Sequence, residues 1–218
     1  MKKIFVALLL FTCLHAAAQR KNRHTPIITE GAYLSFNPHG LVEPEQGAIG
    51  LGAGYRFNKR IEAWVEGSYL YNGIVSESDF TGLKGFRAIV SGKYFYQNKY
   101  GFFVGAEFRV KQYSFDDHGT FFNAQTNTTI DNYPYKAQHT LIGGGVFWGK
   151  RFKITGDGKF ELEGNIGIGV KHRSISRKNV AAGYAIAEDI YHREVFINRD
   201  IDADLPYFPA TVRFIYHL

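Results

Sequence analysis

The stretch KFELEGNIGIGVKHRS, residues 159–174, decides how the rest of the chain is read. Phe160, Leu162, Ile166, Ile168 and Val170 share one parity, while Glu161, Glu163, Lys171 and Arg173 share the other. Alternation at period two marks a strand with one face in an apolar setting and one in a polar setting. Two kinds of closed sheet satisfy it. A sheet in water turns its apolar parity inward, whereas a sheet in hydrocarbon turns it outward and keeps its ions within.

The same pattern recurs along the chain. ITEGAYLSF (28–36) carries Ala32, Leu34 and Phe36 on one parity, and AIGLGAGYRF (48–57) sets Ile49, Leu51, Ala53, Tyr55 and Phe57 against three glycines and Arg56. IEAWVEGSYLY (61–71) opposes Ile61, Ala63, Val65, Tyr69 and Tyr71 to Glu62, Trp64, Glu66 and Ser68. GFRAIVSGKYFY (85–96) and GFFVGAEFRVKQY (101–113) do likewise, with Arg87, Lys93, Glu107, Arg109 and Lys111 on the polar side. YKAQHTLIGGGVFWG (135–149) alternates less cleanly, and its glycines suggest a bulge. YFPATVRFIYHL (207–218) places Arg213 and His217 opposite Phe208, Val212, Phe214 and Tyr216.

These stretches predict eight strands, most reaching the roughly 9–11 residues that a tilted strand needs to cross a membrane, against about 5–6 in soluble sheets. Long connections at 37–46, 73–83, 116–134 and 175–205 alternate with short ones at 58–60, 97–99 and 150–158. Short turns on one rim and long loops on the other are the arrangement of an outer-membrane sheet, with both termini on the short-turn side. Aromatic residues crowd toward both ends of the strands. Tyr55, Phe57, Tyr94, Tyr96, Phe102, Phe147, Phe160, Phe214 and Tyr216 mark the short-turn rim; Phe36, Tyr69, Tyr71, Phe86, Tyr135 and Phe208 mark the other. The expected fold is all-β, an eight-stranded antiparallel up-and-down transmembrane β-barrel formed by residues 27–218.

Composition agrees. The 218 residues include 24 Gly, 14 Tyr and 19 Phe but only 6 Pro, a mixture suited to strands. Residues 1–18 read as a secretory signal peptide: Lys2 and Lys3, an apolar run from Ile4 to Leu14, then Ala16, Ala17 and Ala18. That run is too short to span a bilayer as a helix, which takes about 20 residues. Residues 19–26 form a short segment ahead of the barrel. Cys13 is the sole cysteine and leaves with the signal, so the mature chain is expected to lack disulfides and thiolate chemistry. A lipidated Cys13 is the alternative, with Thr12 standing where Ala or Gly would be expected. Loss of Lys2 and Lys3 takes the formal charge from +6 to +4, and no basic cluster interleaved with aromatics points to nucleic acid.

Signal, strands and an aromatic-rich last strand together resemble the small OmpX/OmpA-type barrels of Gram-negative outer membranes. The segments KGFRAIVSGKYFY…GFFVGAEFRVKQYSF (84–115) and LEGNIGIGVKHR (162–173) are similar to outer-membrane barrel domains of unknown function in exported Bacteroidetes proteins. The resemblance implies an outer-membrane location, contact with outer-membrane lipid and lipopolysaccharide, and a monomer. Such chains often end in Phe; here Leu218 is last, with Tyr216 and Phe214 behind it.

An eight-stranded interior is just wide enough for side chains to fill it. Its expected occupants are Arg56, Glu62, Glu66, Arg87, Lys93, Glu107, Arg109, Lys111, Glu161, Glu163, Lys171, Arg173 and Arg213, eight cations and five carboxylates whose opposite charges can satisfy one another. This predicts a polar plug rather than a conduit, with a structural or surface-interaction role through loops 116–134 and 175–205. No cofactor is implied.

Two motifs carry candidate chemistry. His172 and Ser174 lie two apart on the apolar parity near the external rim, resembling the His-x-Ser pair of PagL-type lipid A deacylases. In such a site the imidazole would deprotonate the serine hydroxyl, and an acidic residue would orient the ring. Ile175 and Ser176 follow where that family is expected to have Asn-Ala, and the last strand offers no evident acidic partner. In NRDIDADLP (198–206), Asp200, Asp202 and Asp204 alternate like the start of a calcium loop, but Ala203 replaces the turn glycine and the late Glu is missing. GLGAGY (50–55) spaces its glycines at every second residue with no helix after them, as small inward positions would be, and not as a nucleotide loop. The remaining alternative is a soluble periplasmic lipocalin-like binder with the apolar parity inside.

Overall fold

The computed structural model describes residues 30–38, 46–72, 81–97, 101–186 and 202–218. The expected signal segment, Asp200, and most of loops 37–46 and 73–83 lie outside them. The described residues form ten strands: β1 (Gly31–Phe36), β2 (Gln46–Arg56), β3 (Ile61–Asn72), β4 (Thr81–Gln97), β5 (Phe102–Asn123), β6 (Thr128–Lys153), β7 (Phe160–Lys178), β8 (Ala185–Ile186), β9 (Ala203–Tyr207) and β10 (Ala210–His217). Each of β1 to β6 pairs antiparallel with the next, β7 pairs with β10, and β10 returns to β1 through Tyr33↔His217 and Phe36↔Phe214. Eight strands thus close into a ring and leave it without an edge.

The period-two readings place the strands well. β2 and β3 stay in one register from Gln46↔Asn72 to Arg56↔Glu62, and β6 and β7 from Lys136↔Lys178 to Lys153↔Glu161. The last strand starts earlier than its alternation suggested. β9 and β10 lie in the same register on β7, interrupted at 208–209, where Pro209 has no N–H to donate and instead accepts from Gly167 N at 2.7 Å.

The segment 116–134, expected as a loop, is mostly strand. β5 and β6 continue as a hairpin whose connection is only residues 124–127, with Asn123 Oδ1 accepting the N–H groups of Gln125 and Thr126 at 2.9 and 3.2 Å. Its alternation is hard to read because the register shifts between Gly119 and Phe121, where Asn132 on the facing strand adopts φ 54°. Likewise only part of 175–205 is a connection, since β7 runs to Lys178, β9 begins at Ala203, and β8 pairs with Phe121 and Phe122 of β5.

The bulge expected at the glycines of β6 is absent; Gly143, Gly144 and Gly145 keep unbroken register with both neighbours. These glycines serve close approach. A Cβ on Gly145 would stand 2.7 Å from the Ile168 carbonyl oxygen and 2.9 Å from Gly169 Cα, both backbone atoms with little room to yield. Gly145→Val should therefore lower stability by about 1–3 kcal/mol, read as a reduced urea midpoint. The register shift between Thr81 and Lys84 does coincide with a positive-φ glycine, Gly82 at 66°.

The turns at 58–60 and 154–159 are built from local hydrogen bonds. Asn58 Oδ1 accepts from the N–H groups of Arg60 and Ile61 at 2.8 and 2.9 Å. In the 154–159 turn, the Thr155 hydroxyl and Lys159 N–H donate to Asp157, holding its carboxyl below the usual range.

Side-chain direction answers the question raised by residues 159–174. Phe160, Ile166, Ile168, Val170 and Phe214 point outward, as do Leu51, Val65, Phe86, Val90, Phe108 and Val146. Glu161 and Glu163 are fully enclosed, and Arg56, Glu62 and Arg213 nearly so. The apolar parity lines the outer wall and the ionic parity fills the interior. Two expected rim aromatics depart from this scheme: Phe147 and Tyr135 are buried inside, 2% and 4% exposed.

The interior is also more apolar than its charges suggested. Phe95, Phe103 and Phe147 cluster toward the short-turn end. At the other end Leu70, Leu83, Tyr113, Phe115, Phe121, Tyr135 and Leu141 form a core, with Tyr184 and Ile186 packed against it.

Candidate functional site: the ionic interior

Glu62 enters from β3, Lys93 from β4, Arg151 from β6, Glu163 from β7 and Arg213 from β10, each placed inward by strand parity. Lys93 Nζ donates to Glu62 Oε1 and to both Glu163 oxygens at 2.9 Å. The Arg151 guanidinium donates through Nη1 and Nη2 to the two Glu62 oxygens at 2.7 Å, and through Nε and Nη2 to Glu163 Oε2. This fork geometry is the strong form of an arginine–carboxylate contact. Arg213 Nη1 donates to Glu163 Oε1 at 2.8 Å, and the Tyr33 hydroxyl donates to Glu62 Oε1. The side chains of Lys93, Arg151, Glu62 and Glu163 have no exposed surface.

Around that centre sit smaller groups. Glu161 faces His217 Nε2 at 2.8 Å and Arg151 at 3.7 Å. Glu66 takes the Ser68 hydroxyl at 2.8 Å and Arg87 at 3.2 Å. Glu107 accepts from Arg109 at 2.8 Å and from the Tyr207 hydroxyl at 2.7 Å, while the Arg109 guanidinium lies over the Tyr207 ring. The Arg56 guanidinium stacks on Phe95, 3.9 Å from its centroid, and donates to Lys59 O; Arg213 lies 3.8 Å over Trp64. Burial of arginine against an aromatic face compensates part of its lost hydration.

All thirteen charged residues expected inside lie on the inward parity of their strands. Lys111, Lys171 and Arg109 are only half-buried, whereas Arg173 is buried. Missing from that set were Arg151, His217, Tyr33 and Tyr207. Arg151 is a central group of the interior. The expected strand ends at Gly149 and leaves Arg151 in the 150–158 connection, whereas β6 runs four residues further, to Lys153. Extending the odd parity of Leu141 and Phe147 to position 151 is the signal that would have found it.

The His172 region lies on the outer wall near the long-connection rim. His172 and Asp204 are paired across β7 and β9, and His172 Nδ1 is 2.9 Å from Asp204 Oδ1. Asp204 is therefore an acidic partner for His172, on β9, within the expected 175–205 connection. Ser174 is exposed on the same face without a hydrogen bond to His172. Asp202 Oδ1 accepts the Ile175 N–H at 2.7 Å. Asp202 and Asp204 turn toward β7, and Asp200 of the calcium-like spacing lies outside the described residues; among the described residues no three His, Cys, Asp or Glu side chains are placed to hold a metal.

The fold and interior together define a class: an all-β antiparallel ring of eight strands with an apolar outer wall and a cross-linked ionic interior. Comparison with protein-family models, with curated proteins and with solved structures finds no match to this chain.

Proposed function

We propose that the protein is an exported outer-membrane β-barrel with a plugged lumen, serving a structural or surface-interaction role through the elements at its long-connection rim. One observation carries the reading: polarity is inverted relative to a water-soluble protein. Leu51 is 71% exposed and Val170 60%, while Glu161 and Glu163 are wholly enclosed. Apolar patches on soluble monomers rarely exceed a few hundred Å², and a wall of outward Val, Ile, Leu and Phe around the whole ring suits acyl chains. Outer-membrane lipid and lipopolysaccharide are then its surroundings, and the ion-paired centre with its aromatic layers leaves little space for a conduit.

Folded and boiled samples compared on a detergent gel, together with membrane fractionation, test the proposal. A heat-modifiable band in the outer-membrane fraction is expected; recovery as a soluble periplasmic protein would refute it.

A second reading rests on the His172–Asp204 contact. With Ser174 on the same lipid-facing side, His172 as base and Asp204 as its orienting group compose the parts of an ester hydrolase acting on lipid acyl chains. Lipid A mass spectra from cells expressing the wild type or Ser174→Ala decide it, and identical acyl patterns dismiss it.

A further inference from the structure

The outer wall is not uniform. Near the short turns, Ile61, Tyr94, Val104 and Trp148 form one row across β3 to β6, fixed by the pairings Ile61↔Tyr94, Tyr94↔Val104 and Val104↔Trp148. The next row toward mid-wall contains Gly92 and Ala106, which face each other across β4 and β5. Large side chains beside small ones leave a recess of about 690 Å³ bounded by these residues. Its volume falls in the range of roughly 300–1,000 Å³ typical of small-molecule sites. A Cβ added at Gly92 would meet nothing within 4 Å, so the floor of the recess is open.

Charge gathers at the end of this recess that faces the short turns. The Arg60 guanidinium donates to the Tyr94 hydroxyl at 3.3 Å, at one flank. Lys150, two residues beyond Trp148 on the same face, lies 4.6 Å over Phe102 and 4.8 Å over Phe152 at the other flank. Lys59, Lys153 and Lys159 stand in or beside the same two turns, where the exposed Asp and Glu side chains among the described residues are Glu30 and Asp157; Glu62, which also lines the recess, and Glu161 are enclosed and paired inside. An apolar slot ending between two cations complements an amphiphile with an apolar tail and an anionic head.

We propose that this recess is a binding site for an anionic phospholipid, with an acyl chain over Gly92 and Ala106 and the headgroup phosphate between Arg60 and Lys150. The inference rests on the membrane reading above and deepens it, since the short-turn rim would face the phospholipid leaflet. Trp148 and Tyr94, amphipathic aromatics at headgroup depth, flank the chain. Arg60 supplies a planar fork for phosphate and Lys150 a point charge.

Native mass spectrometry tests it on the full chain reconstituted in nanodiscs of equal phosphatidylglycerol and phosphatidylcholine. Wild type should retain one phosphatidylglycerol in preference to phosphatidylcholine. The double variant Arg60→Gln/Lys150→Gln should lose that preference by roughly tenfold. Gly92→Leu, which fills the recess from an unobstructed position, should reduce retention of both lipids while keeping a heat-modifiable band. Equal retention of the two lipids by wild type, or undiminished retention by Gly92→Leu, would overturn the site even with the barrel intact. Failure of every form to enter the nanodisc would overturn the membrane reading and the site with it.

Discussion

Replacing Glu163 with alanine is expected to destabilise the folded ring by about 3–5 kcal/mol, the largest effect of any single truncation in the interior. Lys93, Arg151 and Arg213 all donate to this carboxylate, and none of the four side chains is more than 2% exposed. Without it, Lys93 and Arg151 share Glu62, with Glu161 at 3.7 Å from Arg151 as distant relief, and Arg213 is left with Glu66 at 4.0 Å. Glu163→Gln keeps the shape but not the charge and should cost nearly as much. Adding Lys93→Met to Glu163→Gln removes one stranded cation, so the double variant should be more stable than the sum of the singles predicts, with a coupling of about 0.5–3 kcal/mol. Urea midpoints of reversible folding, followed by the heat-modifiable band, give all three numbers. A strictly additive cycle would show that the groups do not act as one network.

Why this carboxylate could be placed inside from the sequence, while its partner Arg151 could not, follows from the range of the information used. Strand parity is local: KFELEGNIGIGVKHRS separates its apolar and ionic faces within sixteen residues, and all thirteen expected inward charges occupy that face. Pairing is not local. Glu62 meets Arg151 across 89 positions, and Glu107 meets Tyr207 across 100. Nothing near either residue announces the other. Local irregularity hides further features. The register shift opposite Asn132 obscures alternation in the β5–β6 hairpin, and the interruption at Pro209 makes β9 look like the end of a loop. The second of these concealed Asp204, and with it the partner of His172. Position near the strand ends also left Phe147 and Tyr135 at a rim; they turn inward because β6 carries its interior face on odd positions from Tyr135 to Arg151, in step with Ala137, His139 and Leu141.

Ile168→Arg is the variant whose magnitude separates hydrocarbon from water around the outer wall. Ile168 lies midway along β7, points outward, and is 54% exposed, so arginine there displaces no interior contact. If the wall faced water, the change would fall within about 0.5 kcal/mol of zero, as surface substitutions do. In a bilayer an arginine on the lipid face costs about 2–4 kcal/mol at the midplane and about 0–1 near the interfaces. Ser176→Arg supplies the second depth, because Ser176 shares the outward parity of the same strand close to its long-connection end. The expected result for folding into phospholipid vesicles is a large loss at position 168 and a small one at 176. Equal and small losses would mean that the outward Val, Ile and Phe side chains do not meet acyl chains, and the lipid site at Arg60 and Lys150 would lose its setting as well. The two substitutions carry the same charge on the same face of one strand, so the difference between them reports depth in an apolar medium and little else.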